Sequence, residues 1–417
     1  MTAEGRLAHA SIRSRSNFSF DNQTLTFTRS EQGLRGALEV PIASRQAGFL
    51  PALGELSATA EYARVHFSDA GLMKRESVAL VWTPLDALRL RAAREHVDTP
   101  APIELLGSPV IVTPDVRIFD VLTGETVDVV AVSGGNPHLL PQSSRETRLS
   151  AILRLVPRLG LELNGDYVDS DQRNFVSGLP PASTAIMAAF PDRFTRDATG
   201  TLVRVDVRPV NFARHEQRRL RYGFTLNAPL SGGGAAGLPT VGDEAADAAA
   251  AAAANLAHPA WRLQITANDT MMFSDKIVIR EGLEPVDLLS GGAIGIGGSS
   301  LHHLLDATVG ITSGGTGMRL GAVWRGSSTL QTRTDGLPNM LHFSPLLQLN
   351  LRAFADLHRF LPHSSWSKSA RVALNVVNLT DKRQKVRDSF GNTPLQYQPA
   401  YRDPLGRTIE VELRKVF

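Results

Sequence analysis

Cysteine is absent from all 417 residues, so disulfides and thiolate-based zinc or redox sites have no part in this chain. Aromatic side chains are scarce at 6%, with five Tyr and four Trp. That is thin cover for two interfacial girdles, and the 17 Phe lack the polar tip that favours an interface. A charge excess of one sign is also missing. The 44 basic and 41 acidic residues leave a net charge of +3, spread along the chain, which excludes a nucleic-acid footprint. Nowhere do about 18 apolar residues follow one another, so no ordinary membrane helix is encoded. Membrane strands remain open, because each needs only about 9–11 alternating residues and hardly moves a hydropathy average.

What the chain does have is alternation, clearest in its last stretch. Ile409, Val411, Leu413 and Phe417 share one parity, while Thr408, Glu410, Glu412 and Arg414 share the other. Successive strand side chains point to opposite faces, so one face is apolar and the other charged. Lys415 breaks the parity, where a long basic side chain can snorkel to an interface. The same pattern recurs upstream: Leu347, Leu349 and Leu351 against Gln348, Asn350 and Arg352, and Leu305, Ala307, Val309 and Ile311 against Asp306, Thr308 and Gly310. Trp261, Leu263 and Ile265 oppose Arg262, Gln264 and Thr266, and Leu149, Ala151 and Leu153 oppose Arg148, Ser150 and Arg154. A dry interior could not hold so many unpaired Arg, Asn, Gln and Asp, which favours a wet lumen.

The connections have a rhythm. Tight turns at 156–160 and 313–316 alternate with long links at 96–146, 170–216, 273–300, 327–344 and 380–404. Membrane barrels show brief turns at one end and long loops at the other. The expectation is therefore an all-β, antiparallel transmembrane β-barrel over residues 1–417, with roughly 12–16 strands. One link breaks the rhythm: 229–259, rich in Gly and Ala, reads as a low-complexity insertion at the short-turn end.

Several stretches together resemble the C-terminal barrel of TonB-dependent outer-membrane receptors. Gly135-Asn136-Pro137-His138-Leu139-Leu140-Pro141-Gln142 is similar to the family's "G-N-P-x-L-x-P-E" loop, with Gln142 where Glu is usual. Asn378-Leu379-Thr380-Asp381 matches its "N-L-x-D" element, and Gly406-Arg407 through Phe417 matches its final strand. Val286-Asp287-Leu288-Leu289-Ser290-Gly291, with His302-His303 after it, fits a subgroup. The resemblance implies a 22-stranded barrel filled by a plug, placed in the outer membrane. Its partners would be outer-membrane lipid and the barrel-assembly machinery, which reads a terminal aromatic such as Phe417. The TonB energy-coupling protein joins them only where a plug is present. The implied function is uptake of a small molecule such as a siderophore. No signal peptide, plug or coupling box is seen in the sequence, so a truncated copy is expected.

Other chemistry is sparse. Gly232-Gly233-Gly234 and Gly295-Ile296-Gly297-Gly298 lack the Lys-Ser/Thr of a phosphate loop. The adjacent His302 and His303 point to opposite faces of a strand and cannot share a metal. Asp166, Asp169 and Asp171 read as a solvated loop cluster, with calcium as the sharper alternative. No catalytic elbow or paired carboxylates stand out, so no enzyme, cofactor or metal is expected. Competing readings are a non-energised porin-like or non-functional remnant, and a soluble secreted β-sheet binding protein.

Overall fold

A computed structural model describes the chain except for residues 1–3, 21–22, 121, 181, 231–260, 293–299, 335–336, 403–404 and 416–417. Two long strands, β1 (Glu4–Phe20) and β2 (Gln23–Ala43), begin it, followed by β3 (Glu55–Phe67), β4 (Gly71–Leu85) and β5 (Leu88–Thr99). A shorter pair, β6 (Ile111–Asp120) and β7 (Glu125–Ser133), precedes β8 (Gln142–Val156) and β9 (Leu161–Ser177). Then come β10 (Phe194–Arg196), β11 (Leu202–Asp206), β12 (Val210–Pro229), β13 (Arg262–Val278) and β14 (Val286–Asp287). The last third contains β15 (His303–Ser313), β16 (Thr316–Arg325), β17 (Ser328–Thr334), β18 (Leu337–Phe343) and β19 (Leu346–Asp356). It ends with β20 (Ala370–Val377), β21 (Val386–Arg387) and β22 (Thr408–Lys415).

One large antiparallel sheet runs β1-β2-β3-β4-β5-β8-β9-β12-β13-β15-β16-β19-β20-β22, with β14 attached to β13. The strands on that path follow one another in chain order, the up-and-down meander of a barrel wall. Among the described residues no ladder joins β1 to β22.

Register turns the alternation into two faces. Residues directly opposite in an antiparallel ladder lie on the same side of a sheet. Leu226, Ile265, Val309, Leu320, Leu351, Val376 and Ile409 are opposed in turn across seven strands, an unbroken apolar row. A second apolar row runs Val40, Ala58, Leu80, Ala92, Leu149, Tyr167, Leu220 and Met271. The neighbouring row on the other face reads Asn227, Gln264, Gly310, Arg319, Arg352, Asn375 and Glu410. No second layer covers the apolar face among the described residues: Val309 is 44% exposed and Ile409 65%. That removes the dry two-sheet core a soluble sandwich needs.

The links fall at two ends. Short connections, 86–87, 157–160 and 314–315, share one end with 357–369 and with the link across 231–260. At the base of that link Leu230 N donates to Trp261 O at 2.8 Å, while the insertion expected at 229–259 lies almost wholly outside the described residues. The other end gathers 100–141, 178–209, 279–302, 326–345 and 378–407. The strands outrun their sequence-read bounds here. β9 carries Asp166, Asp169 and Asp171 within its ladder, so the acidic cluster is strand rather than loop. The physical reason is that, beyond the apolar band, both faces of a strand are polar and alternation loses its contrast. Trp82, Trp261 and Trp366 all lie at the short-turn end, Trp366 within the link 357–369, and Trp324 lies near the other end.

Candidate functional site

The polar face is built from cross-strand partners rather than from one motif. Near its centre Asn164 Nδ2 donates to Asn268 Oδ1 at 3.3 Å, and Asn268 Nδ2 donates to Asp306 Oδ2 at 3.3 Å. Arg221 Nη2 reaches the other Asp306 oxygen at 3.2 Å. Gly223 makes this possible: a Cβ there would collide with Ala267 O and sit 2.5 Å from Asn268 Oδ1. Ser150 Oγ donates to Asp166 Oδ1 at 2.7 Å, and Arg35–Glu61 and Arg75–Glu95 pair at 2.7 and 2.6 Å. Surface pairs of this kind contribute little stability. Their effect is a hydrated wall studded with hydrogen-bonding groups.

At the long-link end the wall carries a folded cap. Strands β10-β11-β7-β6 form a separate four-stranded sheet in which β11 runs parallel to β7, joining links 100–141 and 178–209. Its core is Leu202 and Phe212, both fully buried, with Phe190, Phe194, Val205 and Ile277 around them. Phe212 packs against Phe175 and Phe190 with ring centroids 6.3 and 6.0 Å apart, and the Arg280 guanidinium lies 5.0 Å over Phe190. The buried Asp120 accepts two hydrogen bonds from Arg196, at 2.6 and 2.7 Å. That guanidinium is the main cause holding the Asp120 carboxyl below the usual carboxylate range, against the opposing effect of burial. Arg29 clamps the turn between β3 and β4 in the same way, donating to both Asp69 oxygens and to Ala101 O. These links are therefore packed structure rather than solvated loop.

His215 Nε2 lies 2.7 Å from Asp275 Oδ1, and Ser300 Oγ donates to Asp275 Oδ2 at 2.5 Å. The serine reaches the carboxylate and not the imidazole, so it has no base in contact. The cluster ties link 279–302 to the wall. His303 is bonded at 2.9 Å to Asp269, and the same carboxylate accepts from Tyr222 at 3.1 Å. No group of three His, Asp or Glu fit for a metal occurs among the described residues.

The motif residues sit in tight local clamps at the long-link end. Asn136 is buried; its Nδ2 donates to Pro209 O and its Oδ1 accepts from His138 N. Gly135 lies where a Cβ would meet Leu106 O at 2.6 Å, and Pro141 O accepts from Asn174 Nδ2. Pro137 follows in the same turn and lines a small cleft with Pro141, Arg29 and Asp69. Asn378 adopts φ 54°, bonding Lys382 through both ends of its amide, and Leu379 N donates to Leu349 O. Asp381 Oδ1 accepts from Arg407 N, pinning the approach to β22. Gly406, at φ 60°, leaves no room for a side chain beside Asp381 and Arg383. The two motifs are thus brought to one end but not to one pocket. Phe417 lies outside the described residues, as do both glycine runs. Sequence reading missed the Asp120–Arg196 and Arg29–Asp69 pairs, which join positions 76 and 40 residues apart with no local pattern.

No family model and no curated protein matches the sequence. Solved structures do match the fold. The siderophore receptor PirA from Acinetobacter baumannii superposes with a TM-score of 0.51 at 9% identity, covering 100% of this chain and 55% of that one. A mutant of the ferric enterobactin receptor PfeA from Pseudomonas aeruginosa gives 0.54 at 13% identity, covering 98% and 50%. The chain spans about half the length of the receptors it matches. Its fold is thus that of the barrel wall of the siderophore receptors it matches.

Proposed function

We propose that the chain forms the wall of an outer-membrane receptor that takes up a small nutrient, such as a siderophore, by TonB-dependent transport. The carrying observation is the pair of rows described above: apolar, uncovered side chains on one face and hydrogen-bonding ones on the other, over a continuous meander. Lipid satisfies the first face and a watery lumen the second. The folded cap and the long links then lie outside the cell, where a ligand arrives. The receptors with this fold are named for siderophores, which supports the ligand class without choosing the ligand.

The test is location followed by topology. The protein should sediment with outer membranes and need detergent for release. Single cysteines are informative because the chain has none of its own. In intact cells an impermeant maleimide should label a cysteine placed at the exposed Ala198 in the cap link and spare one at Gly314. Labelling of the Gly314 position alone would invert the topology, and release by salt without detergent would remove the membrane reading altogether.

A further inference from the structure

At the short-turn end of the polar face, four arginines converge with little counter-charge. Register sets Arg319 directly opposite Arg352, and Arg371 directly opposite Arg414. Like charges in such positions repel. Together with Phe354, Ala373 and Glu412 they line a cleft of about 260 Å³. None of the four arginines makes an ion pair or a side-chain hydrogen bond among the described residues. The nearby acids form no ion pair with them among the described residues. Asp356 stands opposite Arg371, but its Oδ1 accepts from His358 N and caps the helical turn Leu357–Phe360. Arg371 instead rests 5.0 Å over the Phe354 ring, which holds the guanidinium in place. Among the residues lining the cleft, Glu412 is the one acid against four arginines.

Elsewhere on this face several arginines have an acid in contact, as at Arg35–Glu61, Arg75–Glu95 and Arg148–Glu146, and Arg91 stands apart from other arginines opposite Ser150. Setting four unpaired arginines together in one cleft costs repulsion that a bound anion would reverse. The planar guanidinium fork matches carboxylate and phosphate oxygens in pairs. We propose that this cleft binds a small, multiply charged oxyanion of the polyphosphate or polycarboxylate class. Arg352 and Arg414 supply the fork contacts, and Arg371 is preset by its ring. The site lies at the opposite end of the wall from the cap and does not rest on which nutrient the receptor carries.

Titration calorimetry with inorganic pyrophosphate, and separately with citrate, tests it on the purified protein at low salt. Saturable binding of at least one is expected, weakened about tenfold or more by Arg352→Gln and by Arg414→Gln. Arg91→Gln, on the same face but opposite Ser150, should leave it unchanged. Without anion, Arg352→Gln should melt no lower than the parent, since repulsion is removed. Pyrophosphate should raise the melting temperature of the parent more than that of the variant. Absence of saturable binding, or binding reduced as much by Arg91→Gln as by Arg352→Gln, overturns the site. A protein that stays in solution without detergent would refute the membrane reading instead, and the titration could still be run in buffer.

Discussion

Val309→Arg separates a lipid-facing wall from a water-facing one, because the two environments predict different magnitudes for one substitution. Val309 sits near the middle of β15, directly between Ile265 and Leu320, and is 44% exposed. If its face met water, exchanging an exposed valine for arginine should change stability within about 0.5 kcal/mol. If it meets hydrocarbon near the bilayer midplane, the cost is about 2–4 kcal/mol. That is roughly a 30- to 700-fold shift in the folding equilibrium. Thr308→Arg is the matched control. It lies one residue away on the opposite face, between Thr266 and Gly321, where hydrated polar groups surround it. Its cost should stay below about 1 kcal/mol. Urea titration of the protein refolded into phospholipid vesicles, followed by tryptophan fluorescence, measures both. Equal costs, or a larger cost at Thr308, would refute the assignment of faces.

Acid should loosen the cap. Because Asp120 titrates below its unfolded value, its contribution is complete above about pH 4 and is lost as pH falls through the depressed folded value. Asp120→Asn should flatten that acid limb, read by protease sensitivity of links 100–141 and 178–209 against pH. Phe212→Ala, which empties the cap core, should cost about 3–5 kcal/mol locally and open the same links to protease, while the wall strands keep their far-ultraviolet signal. Wall and cap melting as one unit would contradict the separation. Phe417→Ala should sharply lower the heat-modifiable, membrane-inserted fraction if the assembly machinery reads that ring. Normal insertion yield would leave it a packing residue.

The sequence declared the wall because a barrel strand is amphipathic over its whole membrane crossing. Leu305, Ala307, Val309 and Ile311 needed only their own parity to be placed on one face. The cap was illegible for the opposite reason. Phe190, Leu202 and Phe212 come from three separate segments and become neighbours only after β11 pairs with β7. Likewise Arg319 and Arg352 each look like ordinary lumen-facing residues until register sets one against the other. Asp166, Asp169 and Asp171 misled because polarity on both faces reads as loop, although the ladder with β8 continues through them.

The clasp between Leu230 and Trp261 has a practical consequence. The chain leaves the wall and returns to it at points held together by a 2.8 Å hydrogen bond, on the end with the tight turns. The gap to be bridged is therefore fixed whatever peptide spans it, and doubling a flexible span adds only about 0.6 kcal/mol of closure entropy. This is a docking port for protein engineers. An affinity tag or a small reporter domain spliced between the two residues would hang clear of the cap and leave the strand register untouched.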